Sequence, residues 1–251
     1  MGSARVPRVG CGVSPQQSSS RRREVVAALK KFATAGTITY LHSFCQETNC
    51  TDGYGPSTPM VQATDGKFYG VTSGGGISGN CMCGVFYSFD VGLGPFVSLV
   101  STSGKEGAQI GILGQGFTGA SVVKFGGTQA TTIHRSGATF ISATVPAAAL
   151  TGSVTVTTGA TTLTSNNTFR VTPTFPSFNP TSGPVGTPVV LTGTGLAQTT
   201  KVTFGRVAAT TVTVNSDTQV TANVPTGART GKITITTAGG SVTSRTVFTV
   251  N

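Results

Sequence analysis

The imidazoles, carboxylates and thiols on which most acid–base, thiol and metal chemistry depends are few: two histidines, seven carboxylates and five cysteines in 251 residues. His42 and His134 have no serine, aspartate or cysteine partner at a recognised spacing. Neither a Gly-x-Ser-x-Gly elbow nor a His-Glu-x-x-His helix is present. A glycosidase needs two carboxylates about 5–10 Å apart across a cleft, and the scattered acids nominate no such pair. Asp52, Asp65 and Asp217 read as turn residues, Asp90 precedes a loop, and Glu24, Glu47 and Glu106 read as solvated charges. The spacing of Asp52 and Asp65 matches no calcium loop. Gly74-Gly75-Gly76 lacks the Lys-Ser/Thr and following helix of a phosphate loop. No catalytic, metal or cofactor site is expected.

The cysteines carry a different message. All five fall in the first 83 residues: Cys45 and Cys50 bracket Gln46–Asn49, and Cys81 and Cys83 flank Met82. Paired thiols in a Ser/Thr-rich β protein favour disulfides and an oxidising, extracytoplasmic compartment. Free thiols and a zinc site are the alternatives, although Cys-x₄-Cys and Cys-x-Cys fit zinc motifs poorly. The disulfide candidates are therefore Cys45, Cys50, Cys81 and Cys83.

Charge is uneven. The net +10 divides into +6 on residues 1–31, with seven Lys/Arg against one acid, and +4 on the other 220, with ten against six. A folded nucleic-acid binder concentrates positive charge on one face. Here the leader carries most of it, so no specific nucleic-acid recognition is expected. Lys201, Arg206, Arg229, Lys232 and Arg245 are modestly basic and lack interleaved aromatics. No run of about 18 apolar residues exists to span a membrane.

Thr and Val with 35 Gly and 12 Pro predict an all-β chain of short strands and tight turns. Residues 1–35 read as a disordered basic leader, with a short helix over 21–35 on the spacing of Val25, Val26, Leu29 and Phe32. Its apolar stretch is shorter than the roughly 7–15 residues of a signal-peptide core. Because the downstream chain looks exported, the natural N-terminus is expected to be missing or different. Residues 36–94 alternate as strands, with Thr64-Asp65-Gly66 expected to carry a two-residue Asp-Gly hairpin. Leu41–Cys45, Thr51–Gly53, Val61–Gly70, Thr72–Gly76 and Gly84–Phe89 resemble one unit of the bacterial GloVer tandem repeat, over about 55 residues. A single unit of a family that strings many implies an incomplete array.

The remaining chain repeats itself at an offset of 79 residues. Val123-Lys124-Phe125-Gly126 matches Val202-Thr203-Phe204-Gly205, Gly114-Gln115-Gly116 matches Gly193-Thr194-Gly195, and Val145-Pro146 matches Val224-Pro225. About seven strands per copy, with turn signals every 8–12 residues, predict two immunoglobulin-like sandwiches over 95–172 and 173–251. Phe125 and Phe204 are the expected core plugs, each followed by a turn at Gly126 or Gly205. Gly114, Gly116, Gly193 and Gly195 are expected at strand corners needing positive φ or close backbone approach. Pro146 and Pro225 are expected to end strands.

These positions are similar to the IPT/TIG family, the immunoglobulin-like domains of plexins, transcription factors and many bacterial surface proteins. The resemblance implies a non-enzymatic extracellular or cell-surface module: a spacer, or an adhesion module whose partner is a surface protein. A polysaccharide-binding (carbohydrate-binding) module attached to a surface or secreted enzyme is the runner-up, and a protein-interaction or DNA-associated module the third reading. Trp is absent and all four Tyr lie in the first 90 residues, so neither sandwich has an obvious sugar-stacking platform. Pro173-Thr174-Phe175-Pro176 restricts the joint between the copies.

Overall fold

The computed structural model describes residues 28–32, 38–76, 83–118 and 121–251, which belong to two compact units, Met1–Gly94 and Pro95–Asn251. The described residues are nearly all β, with one 3-10 turn at Thr48–Cys50.

The first unit contains β1 (Ala28–Phe32), β2 (Ile38–Ser43), β3 (Tyr54–Pro56), β4 (Val61–Gln62), β5 (Phe68–Gly74) and β6 (Phe86–Phe89). The helix expected over 21–35 is corrected where it is described: β1 pairs antiparallel with β2, Leu29 opposite His42 and Phe32 opposite Ile38. A helix this short is marginal alone, whereas pairing gives the backbone donors and acceptors partners. The rest of the leader lies outside the described residues. Central β5 pairs with β3, β4 and β6.

The Asp-Gly hairpin is also corrected. Ala63 N–H donates to the Lys67 carbonyl and Gly66 N–H to that of Ala63, making a three-residue loop with Gly66 at φ +88°. Asp65 holds this loop by accepting from Lys67 N–H (3.0 Å) and the Tyr69 hydroxyl (2.7 Å). Those bonds leave β4 and β5 in register at Gln62–Phe68. The unit's core is small: buried Phe44, Tyr87 and Phe89, lined by Leu41, Met60, Phe68 and Val91.

The second unit repeats one sandwich. Its first copy contains β7 (Ser98–Leu99), β8 (Ser103–Gly104), β9 (Gln109–Leu113), β10 (Ser121–Phe125), β11 (Thr128–Gln129), β12 (Ile133–Ser136), β13 (Phe140–Thr144), β14 (Gly152–Thr158) and β15 (Thr161–Val171). One sheet runs β11-β10-β14-β15-β8, with β8 and β15 parallel, and faces another of order β12-β13-β9-β7.

The second copy follows as β16 (Thr174–Asn179), β17 (Ser182–Gly183), β18 (Pro188–Thr194), β19 (Thr199–Phe204), β20 (Val207–Ala208), β21 (Val212–Ser216), β22 (Gln219–Asn223), β23 (Gly231–Thr237) and β24 (Gly240–Val250). Its sheets have the same orders, β20-β19-β23-β24-β17 and β21-β22-β18-β16. Inward positions repeat too: Val123, Phe125, Val154, Val156 and Phe169 are buried as are Val202, Phe204, Ile233, Ile235 and Phe248. Alternation on a two-residue period puts the residues between them on the solvent face.

One device in both copies escaped the sequence reading. Between Thr243 and Val247, β24 carries more residues than β23 does opposite it, and buried Ser244 fills the resulting bulge. Its hydroxyl accepts from Ile233 N–H (3.0 Å) and donates to the Thr246 carbonyl (2.7 Å). Ser165 makes the same two bonds with Val154 and Asn167. Ser244→Ala leaves a buried N–H without an acceptor. The expected loss is about 1–3 kcal/mol, read from the denaturation midpoint. A loss no larger than that of an exposed serine, such as Ser241→Ala, would refute the role.

Candidate functional site

The residues singled out in the repeats sit where the sandwiches close. Phe125 and Phe204 are buried, and pack edge-on against Phe169 and Phe248 at centroid distances of 5.0 and 5.3 Å. Gly126 and Gly205 follow them at φ +54° and +62°, and Gly116 and Gly195 both adopt φ +69°. At Gly193 the demand is space: a Cβ would overlap the Thr174 carbonyl, which comes from the neighbouring strand β16. Gly114 lies likewise under the Phe117 ring. Pro146 and Pro225 are buried two residues past the ends of β13 and β22.

Cys45 and Cys50 form a disulfide. Cys83 is also disulfide-bonded, and Cys81 lies outside the described residues. His42, for which the sequence offered no partner, meets Asp52 with Nε2 3.6 Å from Oδ2. Asp52 also accepts from the Gln46 N–H (3.1 Å), and the neighbouring Cys45 thiol is consumed by its bond to Cys50. This is a buttressed loop with no nucleophile assigned to it. His134 is exposed on β12. No group of three His, Cys, Asp or Glu able to hold a metal occurs among the described residues.

Chemistry concentrates instead where the two sandwiches meet. β15 ends at Val171 and β16 begins at Thr174, leaving Thr172-Pro173 as the whole connection. Across it, the Gln198 side chain pairs with the Thr151 backbone in both directions. Thr151 N–H donates to Oε1 (2.7 Å) and Nε2 donates to the Thr151 carbonyl (3.3 Å). The Thr151 hydroxyl accepts from Val171 N–H (2.9 Å). A Cβ on Gly239 would overlap the Val171 carbonyl, so the β23–β24 turn closes directly onto the end of the first sandwich.

A carboxyl pair completes the joint and corrects the view of Glu106 as solvated. Glu106 comes from the first copy and Asp217 from the β21–β22 turn of the second, and their side chains share a hydrogen bond. Glu106 accepts from Ala148 N–H (2.8 Å). Asp217 accepts from Gly195 N–H (3.1 Å) and Ala197 N–H (3.2 Å). Burial, then the hydrogen bond and charge of Asp217, push the Glu106 carboxyl up from the usual 4.5 to about 7; the Ala148 and Gly195 amides pull weakly the other way. Asp217 is the one charged group acting on Glu106 among the described residues. Where Glu106 is protonated, its hydroxyl is the donor in this carboxyl pair.

The sequence did hold a signal for this joint, in the positions where the copies differ. At the 79-residue offset, Glu106 corresponds to Val185, Asp217 to Ala138 and Gln198 to Gly119. Thr151 is kept as Thr230, which makes the equivalent bond within its own copy, from Val250 N–H (3.0 Å). Asymmetry between copies thus marks the contacts that the shared fold does not need.

No curated protein matches this chain. Among solved structures it is similar to the surface glycan-binding protein PbSGBP-B from Prevotella bryantii, at 17% identity and TM-score 0.43, over 61% of this chain and 41% of that one. It is similar also to SGBP-B from a complex xyloglucan utilization locus in Bacteroides uniformis, at 21% and 0.30, over 61% and 48%. The extracellular region of plexin A4 aligns at 18% and 0.32, over 62% and 18%. The chain thus spans less than half the length of each of these proteins. The IPT/TIG domain profile matches residues 95–171 and again 173–250. Those two matches cover well over half of the sequence, and the chain belongs to the IPT/TIG domain family.

Proposed function

We propose that the chain is a non-catalytic, extracytoplasmic spacer and adhesion module whose two sandwiches act as one rigid arm at a cell surface. We divide it into a leader (1–35), one GloVer-type unit (36–94) and sandwiches over 95–172 and 173–251. The observation that carries the reading is the joint: a two-residue connection braced by the reciprocal Gln198–Thr151 pair. A flexible linker would leave such backbone groups to water. The Cys45–Cys50 disulfide supports an oxidising compartment, and no helix among the described residues is long and apolar enough to cross a membrane. The largely exposed edge strands β12 and β21 suit adhesion by strand pairing or surface complementarity.

Rigidity is directly measurable. Spin labels on exposed Thr161 and Thr226 of the full chain, attached without cysteine chemistry, are expected to give a single narrow distance distribution. Gln198→Ala is expected to broaden it. A broad distribution in the unaltered protein would rule out the rigid arm.

A further inference from the structure

Counted by structural unit, the net +4 that follows the leader is unevenly divided. Residues 36–94 hold one basic residue against four acids, a net −3, whereas residues 95–251 hold nine against two, a net +7. Both acids of the second unit, Glu106 and Asp217, are the pair at the joint. Every other surface of the two sandwiches is therefore free of carboxylate side chains.

The positive charge gathers at one end of the second sandwich. Gly205 N–H donates to the Lys232 carbonyl (2.8 Å), and the Arg229 carbonyl lies 3.4 Å from the site of a Cβ on Gly205. The β19–β20 turn containing Arg206 is thereby packed against the segment carrying Arg229 and Lys232. All three side chains are exposed, and none has an ion-pair partner among the described residues. The first copy builds the same turn, with Gly126 N–H on the Ser153 carbonyl (3.0 Å), but has Gly127, Leu150 and Ser153 at the three positions. The fold does not require these cations. From Lys232 to the joint at Gly239 is about 23 Å along an extended strand. That exceeds the Debye length of about 8 Å at physiological salt, so the joint carboxylates do not neutralise the cluster.

We propose that this end of the second sandwich, with Arg206, Arg229 and Lys232, binds an anionic polysaccharide through its carboxylate or sulfate groups. The adjoining outer sheet face extends the site. Exposed Lys201 stands opposite Thr236, and Thr203 opposite Thr234. Hydroxyl pairs Thr234–Thr243 (2.9 Å) and Thr236–Ser241 (3.0 Å) cover the strands between. Cations spaced along a hydroxyl-rich surface complement a chain that offers spaced anions and hydroxyls. Neutral glycans and single-stranded nucleic acids rely on aromatic stacking. The second sandwich offers none, because Phe175, Phe178, Phe204 and Phe248 are all buried.

The test compares the full chain with two charge-matched variants: Arg206→Gln/Arg229→Gln/Lys232→Gln, and a control, Lys105→Gln/Lys124→Gln/Arg170→Gln, on the first sandwich. All six residues are exposed, so circular dichroism should be unchanged. Both variants keep the basic leader. Binding is measured at about 0.15 M salt to polygalacturonate, heparin, dextran and duplex DNA. The expected result is saturable binding to polygalacturonate or heparin and none to dextran. The first variant should weaken it by about tenfold or more, the equivalent of one or two charge-assisted contacts, and the control far less. Preference between the two polymers identifies carboxylate or sulfate. Absence of binding, equal losses in the two variants, no loss in the first, or tighter binding to DNA would each overturn the proposal. The rigid-arm reading rests on the distance measurement and survives any of these.

Discussion

The two sandwiches are expected to hold together less well as pH rises through neutrality, and Glu106→Gln is expected to remove that dependence. Glu106 has its carboxyl raised from 4.5 to about 7 in the folded protein. A raised acid favours the protonated form, so its contribution is fully present below about 4.5 and is lost as pH climbs through about 7. Above that point two carboxylates face each other across the joint. The substituted amide would reproduce the protonated acid, donating to Asp217 while still accepting from Ala148. Calorimetry is the suitable readout, because residues 95–251 contain neither Tyr nor Trp. The variant and the natural chain should melt alike near pH 4 (roughly the unperturbed carboxylate range), with the variant higher at about pH 8. Parallel profiles across that range would mean that Glu106 and Asp217 do not share a proton. The same variant should keep the spin-label distances narrow at high pH, when those of the natural chain broaden.

Phe204→Ala should be the most damaging substitution in the second sandwich. Its ring is 1% exposed and packs edge-on against Phe248 between the two sheets. Truncating a buried Phe removes its transfer free energy and leaves a cavity, costing about 3–5 kcal/mol. For a domain of about 80 residues each kcal/mol moves the midpoint by roughly 4–8 °C, so the loss amounts to tens of degrees at most and over ten at least. Val214→Ala is the control, since Val214 is 40% exposed on β21 and such surface changes stay within about 0.5 kcal/mol. If the two variants melt together, Phe204 is not the plug that the repeat suggests. Phe125→Ala should act similarly on the first sandwich, whose core has Phe125 against Phe169 at 5.0 Å.

By itself the sequence determined the sandwiches, because their instructions are local and written twice. Val123-x-Phe125 and Val202-x-Phe204 put alternate residues on one face, the glycines after them supply turns that other residues resist, and Pro146 and Pro225 stop the ladders. Each reads from a handful of neighbouring residues. Elsewhere local preference was overruled. Ala28–Phe32 has a helical spacing but pairs with β2, and Asp65-Gly66 closes a three-residue loop because its side-chain bonds set the register. Tertiary structure alone decided the joint. Glu106 and Asp217 stand 111 residues apart, match no motif spacing, and meet only when two copies are docked. The basic end arises the same way, from Arg206, Arg229 and Lys232 on separate segments that one glycine turn draws together. Periodicity reports what each strand buries. Long-range proximity depends on which turns the folded sheets carry to the same end, and that requires the structure.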